Sequence, residues 1–270
     1  MQCWVNGLES DQLSVQDRGL AYGDGLFETI LIQASKPCLL DEHLQRLARG
    51  LQALSFPDSV LDELRADLKQ LVLPEQAVLK IIITRGQGDR GYLIPAVQSA
   101  NRILLLSPVG DFTDQRNKGV RLRLCQYKLS IQPILAGIKH LNRLDQVLAR
   151  AEWDDPEIAE GIVSDIDSFI VEGTMSNLFW VKNGCLYTPE IDRCGVQGVM
   201  RDHIIRLATA AELSVETGHY YKNALLAADE AFICNSVVGI WPVIAIAEQA
   251  FAIGPMTRDL QQMLSEELTC

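Results

Sequence analysis

An irregular mixture of strand-length apolar runs and longer stretches of helical periodicity is the feature that most constrains this fold. Runs at residues 27–32, 78–84 and 102–107 have the length and composition of buried strands. Leucines at helical spacing follow the first of these runs, at Leu44, Leu47, Leu51 and Leu54. Strands and helices do not alternate in the regular order of a parallel α/β sheet. The pattern therefore predicts an α+β fold.

Local signals predict the boundaries of several elements. A turn at residues 35–37 predicts a hairpin whose second strand is Cys38–Leu40. Asp41 is then expected to cap the helix that carries the leucines. Further helices are expected over residues 58–71 and 142–152, where apolar side chains recur along one face.

The length of 270 residues suggests one large domain or two modest ones, at about 150 residues per domain. The polar segment at residues 111–119 is the best candidate for a linker. We therefore expect an N-terminal α+β domain over residues 1–110 and a C-terminal α+β domain over residues 120–270.

Composition excludes several classes of function. The net charge of −11 argues against a general nucleic-acid binder, although locally placed arginines could still attract an anionic small molecule. Seven scattered cysteines without a C-x-x-C pair are typical of reduced thiols in a cytoplasmic protein. The four histidines lack metal-ligand spacing. The most apolar stretch, residues 237–247, is too short to span a membrane, and the first residues lack the features of a signal peptide.

A glycine-rich segment at residues 86–91 matches the G-x-G-x-x-G pattern of dinucleotide-binding turns. That pattern requires a helix to follow, whereas Tyr92 and the residues after it lead into another strand. We therefore expect a loop between two strands. Such a loop would still present Arg85, Arg90 and Tyr92 to an anionic ligand.

Two lysines, Lys80 and Lys139, stand in apolar runs. An amine becomes a nucleophile when an apolar setting or a neighbouring cation lowers its pKa. A lysine that lays its stem along apolar surface and keeps its ammonium in water is the alternative for both. Spacing alone does not choose between the two lysines.

Two further segments carry weaker signals. Residues 195–201 form a turn that leads into an amphipathic helix, and such a helix start either binds an anion or is a plain junction. Glu172 opens a segment, residues 172–177, that joins two predicted strands, where a lone acidic residue could also be simply solvated.

Taken together and in order, such segments resemble the fold-type IV pyridoxal-phosphate enzymes, the family of the branched-chain and D-amino-acid aminotransferases. The resemblance extends over nearly the whole chain, and the lysine segment, residues 136–144, is its most specific part. The other matching segments are residues 15–18, 22–29, 43–47, 84–92, 172–179, 195–201 and 234–236.

The resemblance implies pyridoxal 5′-phosphate as cofactor and a role for each matching residue. Lys139, in the predicted C-terminal domain, would be the Schiff-base lysine. Glu172 would pair with the pyridinium nitrogen, which keeps the ring protonated and able to accept electrons. The phosphate would be held by three kinds of donor, namely the Arg46 side chain, the backbone amides of Val199 and Met200, and Ser236.

Within this family, Thr29 and the run that follows Lys139 are similar to lyases, whereas Glu28 resembles the aminotransferases. The resemblance implies a carbon–oxygen lyase that converts 4-amino-4-deoxychorismate to p-aminobenzoate and pyruvate in folate biosynthesis. Lys139 would act as general base and acid, and the hydroxyl of Thr29 would bond a carboxylate or guide a proton.

The substrate pocket would include Arg90, Tyr92 and Asn142, with Arg90 reaching across the interface of a homodimer. Two alternatives stay open. One is a branched-chain or D-amino-acid aminotransferase on the same scaffold, and the other is a non-catalytic protein that binds pyridoxal phosphate.

Overall fold

The first of two units in the computed structural model contains the chain up to Gly110 together with Ile138–Asn142. The second contains Asp111–Gly137 and the chain from Arg143 onward. The structure describes residues 2–268. Both units mix helices with strands, and this content confirms the predicted α+β fold class.

The first unit is built on an antiparallel sheet of six strands in the order β2-β1-β6-β5-β3-β4. Its elements, in chain order, are β1 (Gln2–Val5), β2 (Leu8–Glu9), α1 (Arg18–Tyr22), β3 (Gly25–Gln33), β4 (Lys36–Pro37), α2 (Leu40–Ala53), α3 (Ser59–Leu68), β5 (Gln76–Thr84) and β6 (Asn101–Ser107).

Alternation along β3 determines how this sheet packs. Leu26, Ile30 and Ile32 are buried on one face, and they form a single apolar core with the leucines of α2. Successive side chains of a strand point to opposite faces, so Phe27 and Thr29 lie on the other face. The predicted leucine stripe is therefore confirmed as the core side of α2.

The second unit is built on a mixed sheet of ten strands, whose main path runs β12-β11-β10-β14-β15-β7-β8-β9-β13. Its elements are α4 (Thr113–Lys118), β7 (Val120–Leu129), α5 (Leu144–Arg150), β8 (Ile158–Asp165), β9 (Phe169–Gly173), β10 (Asn177–Lys182), β11 (Cys185–Pro189), α6 (Val199–Ala210), β12 (Val215–Gly218), β13 (Tyr220–Tyr221), α7 (Lys222–Leu226), β14 (Glu230–Asn235), β15 (Gly239–Ile246), β16 (Gln249–Ala250) and α8 (Pro255–Leu268).

Two local predictions in the first unit are wrong. The hairpin after β3 turns at Ala34 and Ser35, both with positive φ, so the returning strand is Lys36–Pro37 and not Cys38–Leu40. Helix α2 starts at Leu40 without a side-chain cap, because Leu39 is in the left-handed region and Asp41 already lies in the first turn.

The domain division also differs from the predicted one in two places. Helix α4 occupies most of the segment expected to be a linker. Residues 138–142 belong to the first unit and not to a C-terminal domain. The physical reason is backbone pairing with β3, since Phe27 N donates to Lys139 O at 2.9 Å and Leu141 N donates to Gly25 O at 3.0 Å.

Within residues 2–268, no helix has the length and the apolar character needed to cross a membrane.

Candidate active site

The backbone around Lys139 is fixed against the start of β3. Its carbonyl accepts the Phe27 amide hydrogen, and His140 forms a bridge with Leu26. This pairing brings Lys139 Nζ to 4.5 Å from the centre of the Phe27 ring. The lysine that the family resemblance singles out is therefore held by backbone pairing with the start of β3.

The other candidate lysine, Lys80, lies on β5 directly opposite Thr29. Its side chain is exposed, with Nζ at 5.3 Å from the centre of the same Phe27 ring. Thr29 is half-buried and lies on the face of β3 that carries Phe27. Phe27 thus contacts both amines, and the predicted catalytic Thr29 lies two residues beyond it.

A buried ionic cluster lies on the opposite, core-facing side of β3. Glu28 is 1% exposed, and its carboxylate accepts hydrogen bonds from Arg46 Nε at 2.8 Å and Arg46 Nη2 at 2.5 Å. His43 Nδ1 lies 2.6 Å from the same carboxylate. Burial would raise the pKa of Glu28, but the charge and hydrogen bonds of Arg46 lower it to about 2. The predicted phosphate ligand Arg46 is therefore held by an ionised glutamate.

A second ionic cluster anchors the loop that follows β5. The Asp24 carboxylate accepts from Arg18 Nε at 2.9 Å and from Arg85 Nε at 2.8 Å. Burial acts to raise the pKa of Asp24, and the hydrogen bonds from Arg85 and Arg18 hold it below its usual range. Arg18 also donates to the backbone oxygens of Gly91 at 3.0 Å and Tyr92 at 3.3 Å. The loop is thereby tied to the sheet.

The predicted substrate residues in this loop are accessible. Arg90 is exposed, and Tyr92 is 84% exposed, with its ring 5.3 Å from the ring of Tyr22. Asn142, in contrast, donates its side-chain amide to the backbone oxygen of Gly23 at 3.1 Å. That contact gives Asn142 a structural role at the end of α1, and its predicted contact with substrate stays a prediction.

In the second unit, Glu172 lies at the end of β9 and is 4% exposed. One of its oxygens accepts the Val196 amide hydrogen at 2.9 Å. Arg143 contributes a positive charge nearby: burial lowers the pKa of Arg143, and the carboxylates of Glu172 and Asp145 act to raise it. The predicted ring-nitrogen partner is thus a buried carboxylate fixed by a backbone N–H.

Glu160 organises the turn that follows Glu172. This carboxylate is 1% exposed and accepts five hydrogen bonds. The donors are Gly161 N at 2.9 Å, Thr174 N at 3.0 Å, Thr174 Oγ1 at 2.5 Å, Met175 N at 3.1 Å and Ser176 Oγ at 3.0 Å. Sequence reasoning missed Glu160, although an acidic residue within an apolar strand requires buried partners.

The start of α6 contains a close approach that only glycine permits. A Cβ on Gly198 would lie 1.9 Å from Asn177 Oδ1. The Asn177 side chain also donates to Val196 O at 2.9 Å, so it holds the turn before the helix. Val199 and Met200 are the first helical residues, and no side chain caps the helix. First-turn N–H groups have no intrahelical partner, so they are donors suited to an anion.

Ser236 lies in the turn between β14 and β15 and is half-buried. Asn235 shapes this turn, because its side-chain oxygen accepts from Val237 N at 2.9 Å and from Val238 N at 3.0 Å. Among the residues that the structure describes, no group of His, Cys, Asp and Glu side chains could hold a metal ion.

Comparison with known proteins places this geometry in a family. The sequence profile described as amino-transferase class IV matches residues 25–246. The chain is 38% identical to aminodeoxychorismate lyase of Vibrio harveyi over 272 residues, which cover 97% of this chain and 99% of the relative.

Two solved structures extend the comparison. The crystal structure of 4-amino-4-deoxychorismate lyase from Pseudomonas aeruginosa matches with a TM-score of 0.95 and 45% identity, covering 99% of this chain and 100% of that one. The branched-chain amino acid aminotransferase of Escherichia coli matches with a TM-score of 0.87 and 26% identity, covering 99% of this chain and 94% of that one. The fold predicted from the resemblance is therefore confirmed, and the chain belongs to the class IV aminotransferase family.

Proposed function

We propose that this protein is a pyridoxal-phosphate-dependent lyase that converts 4-amino-4-deoxychorismate to p-aminobenzoate and pyruvate, the step that supplies p-aminobenzoate to folate biosynthesis. The observation that carries the proposal is the higher identity to two lyases than to the branched-chain aminotransferase of Escherichia coli. Identity to the two lyases is 45% and 38%, against 26% for the aminotransferase, with nearly full coverage in each case.

The donor chemistry of the described residues fits pyridoxal phosphate. Lys139 supplies an amine beside an aromatic ring, and Glu172 supplies a buried carboxylate for the ring nitrogen. The phosphate donors would be the Arg46 guanidinium, the N–H groups of Val199 and Met200, and the Ser236 hydroxyl. Gly198, whose close approach to Asn177 no Cβ would permit, allows the turn that presents these N–H groups and supports this assignment.

When bound, pyridoxal phosphate withdraws electrons from the ring carbon that carries the substrate's amine. Lys139 removes the proton from that carbon as general base. The bond between the ring and the enolpyruvyl oxygen then breaks, and the ring becomes aromatic. Lys139 or a water molecule returns a proton to the methylene carbon of the released group, which gives pyruvate. The Val196 N–H holds the Glu172 carboxylate, which would keep the ring nitrogen protonated.

The substrate is anionic, whereas the net charge of the chain is −11, so local positive groups must attract it. Arg90 and Tyr92 are proposed to contact the substrate from the loop that Arg18 anchors. Thr29 is proposed to bond a substrate carboxylate or guide a proton from the Phe27 face of β3. Asn142 is kept as a further proposed contact.

We also propose that the enzyme works as a cytoplasmic homodimer, in which Arg90 acts on the partner's substrate. An exposed apolar stripe on α5 supports this assembly, because Leu144, Val147 and Leu148 are 67%, 59% and 46% exposed at spacing i, i+3, i+4. Sedimentation should give the mass of a dimer for the wild type and that of a monomer for a Val147→Glu, Leu148→Glu variant. A wild-type monomer that retains full activity would contradict the dimer.

The experiment that tests the function compares Lys139→Ala with Lys36→Ala, an exposed lysine at the β3–β4 turn. Purified protein is incubated with pyridoxal phosphate and 4-amino-4-deoxychorismate, and p-aminobenzoate and pyruvate are measured. Lys36→Ala should match the wild type, and Lys139→Ala should form neither product and lose the visible absorbance of the attached cofactor. Product formation by Lys139→Ala at the wild-type rate would overturn the assignment. A wild type that binds the cofactor without turnover would support the non-catalytic alternative.

A further inference from the structure

The buried carboxylate of Glu28 has no part in the chemistry described above. It follows Phe27 and precedes Thr29, but strand alternation directs it to the opposite face of β3, toward α2. At 1% exposure it contacts Arg46 and His43, which lie one helical turn apart on α2. Glu28 is therefore outside the face that carries Thr29, despite its resemblance to the aminotransferase pattern.

The contact between Glu28 and Arg46 fixes the plane of the guanidinium. Nε donates to one carboxylate oxygen at 2.8 Å, and Nη2 donates to the other at 2.5 Å. Such a two-point contact sets the rotation of the guanidinium about its long axis, and it therefore sets the direction in which Nη1 points. The carboxylate neutralises the charge of Arg46, whose side chain is 5% exposed.

His43 in turn fixes the carboxylate. Its Nδ1 lies 2.6 Å from the Glu28 oxygen that also accepts from Arg46 Nη2. An ionised carboxylate only accepts hydrogen bonds, so Nδ1 carries the hydrogen. Within the described residues, Nε2 of His43 is buried without a hydrogen-bond partner, as suits a neutral imidazole. His43 thus adds a hydrogen bond to Glu28 without adding charge.

We propose that Glu28 and His43 are positioning residues that hold the Arg46 guanidinium in a fixed orientation, ready to receive the phosphate of the cofactor. This inference rests on the proposed function, in which Arg46 binds that phosphate. The effect is preorganisation: the orientation of the arginine is set before the ligand arrives, so binding does not have to order it.

The phosphate group provides a selective test. Apoprotein is titrated with pyridoxal phosphate and, separately, with pyridoxal, which has the same aldehyde and ring but no phosphate. The ratio of the two dissociation constants measures the contribution of the phosphate, and a loss of fold alone would weaken both ligands together. Arg46→Met gives the ratio expected when the arginine is absent.

Two matched variants isolate the hydrogen bond from His43. His43→Leu removes it, whereas the amide nitrogen of His43→Asn can occupy the place of Nδ1 and restore it. His43→Leu should lose about tenfold of the preference for pyridoxal phosphate, and His43→Asn should retain most of it. Glu28→Gln should lose tenfold or more, approaching Arg46→Met. Thermal midpoints of the apoproteins show which variants fold. If Glu28→Gln does not fold, the comparison of His43→Leu with His43→Asn tests the proposal.

The proposal is overturned if His43→Leu and His43→Asn show the same ratio as the wild type, or if both ligands weaken equally in His43→Leu. It is also overturned if Glu28→Gln folds and keeps the wild-type ratio. If the wild type binds neither compound, the result contradicts the proposed cofactor, and with it the proposed function, rather than the role of Glu28 and His43.

Discussion

Glu160→Gln is expected to lower the stability of the second unit, because the Glu160 carboxylate accepts five hydrogen bonds there. The glutamate carboxylate accepts three hydrogen bonds on one oxygen and two on the other, all within or next to the turn after Glu172. An amide replaces one acceptor oxygen with a donor, so at least the Met175 N–H and the Ser176 hydroxyl lose a charged acceptor. Each hydrogen bond to a charged group contributes about 1.5–3 kcal/mol, so the expected loss for the two bonds is about 3–6 kcal/mol.

The assay is urea denaturation of the apoprotein, followed by tryptophan fluorescence, to which the buried Trp180 of the second unit contributes. Glu157→Gln is the matched control, because Glu157 lies three residues earlier and its side chain is exposed. The control should remain within about 0.5 kcal/mol of the wild type. A Glu160→Gln protein that also remained within that range would refute the argument that this carboxylate organises the turn.

Four other predictions follow from the ionic clusters of the first unit and the turn before α6. Glu28 has a pKa of about 2, against 4.5 when unperturbed, so its stabilisation of about 3 kcal/mol should be complete above pH 4.5 and lost as pH falls toward 2. Burial also lowers the pKa of His43, so a further decrease in the free energy of unfolding should begin as pH falls below about 6.5. A free energy of unfolding, measured by urea titration, that does not change from pH 7 to 3 would contradict both predictions. Arg18→Ala should raise KM for the substrate several-fold by releasing the Gly91–Tyr92 loop while cofactor affinity stays unchanged, and the exposed Arg65→Ala is its control. Gly198→Ala should weaken pyridoxal phosphate binding at least about tenfold, because its Cβ displaces Asn177, which holds the turn before α6; an unaltered dissociation constant would reject a phosphate site at the start of this helix.

Periodic features of this fold were predictable from the sequence because they depend on side chains close together in the chain. The strand β3 and the leucine stripe of α2 both lie where the local sequence pattern predicted them. The turn at Ala34 and Ser35 was not predictable, because neither residue type favours positive φ. The hydrogen bonds of the sheet override that preference.

The ionic clusters were out of reach for a different reason. Glu28 and Arg46 are 18 positions apart on different elements, and no local signal pairs them. The same limit applies to residues 138–142, whose membership of the first unit depends on pairing with a strand more than a hundred residues earlier. An acidic residue within a buried strand indicates that a hydrogen-bonding or charged partner is required, but it does not identify that partner.

The most direct test of the central claim is a pair of incubations of the wild-type protein with 4-amino-4-deoxychorismate and pyridoxal phosphate, one with and one without 2-oxoglutarate, with all products followed by NMR. A lyase is predicted to release p-aminobenzoate and pyruvate in equal amounts, at a rate independent of 2-oxoglutarate and without forming glutamate. Glutamate that accumulates while p-aminobenzoate and pyruvate stay absent would show amino-group transfer, and it would contradict the proposed function.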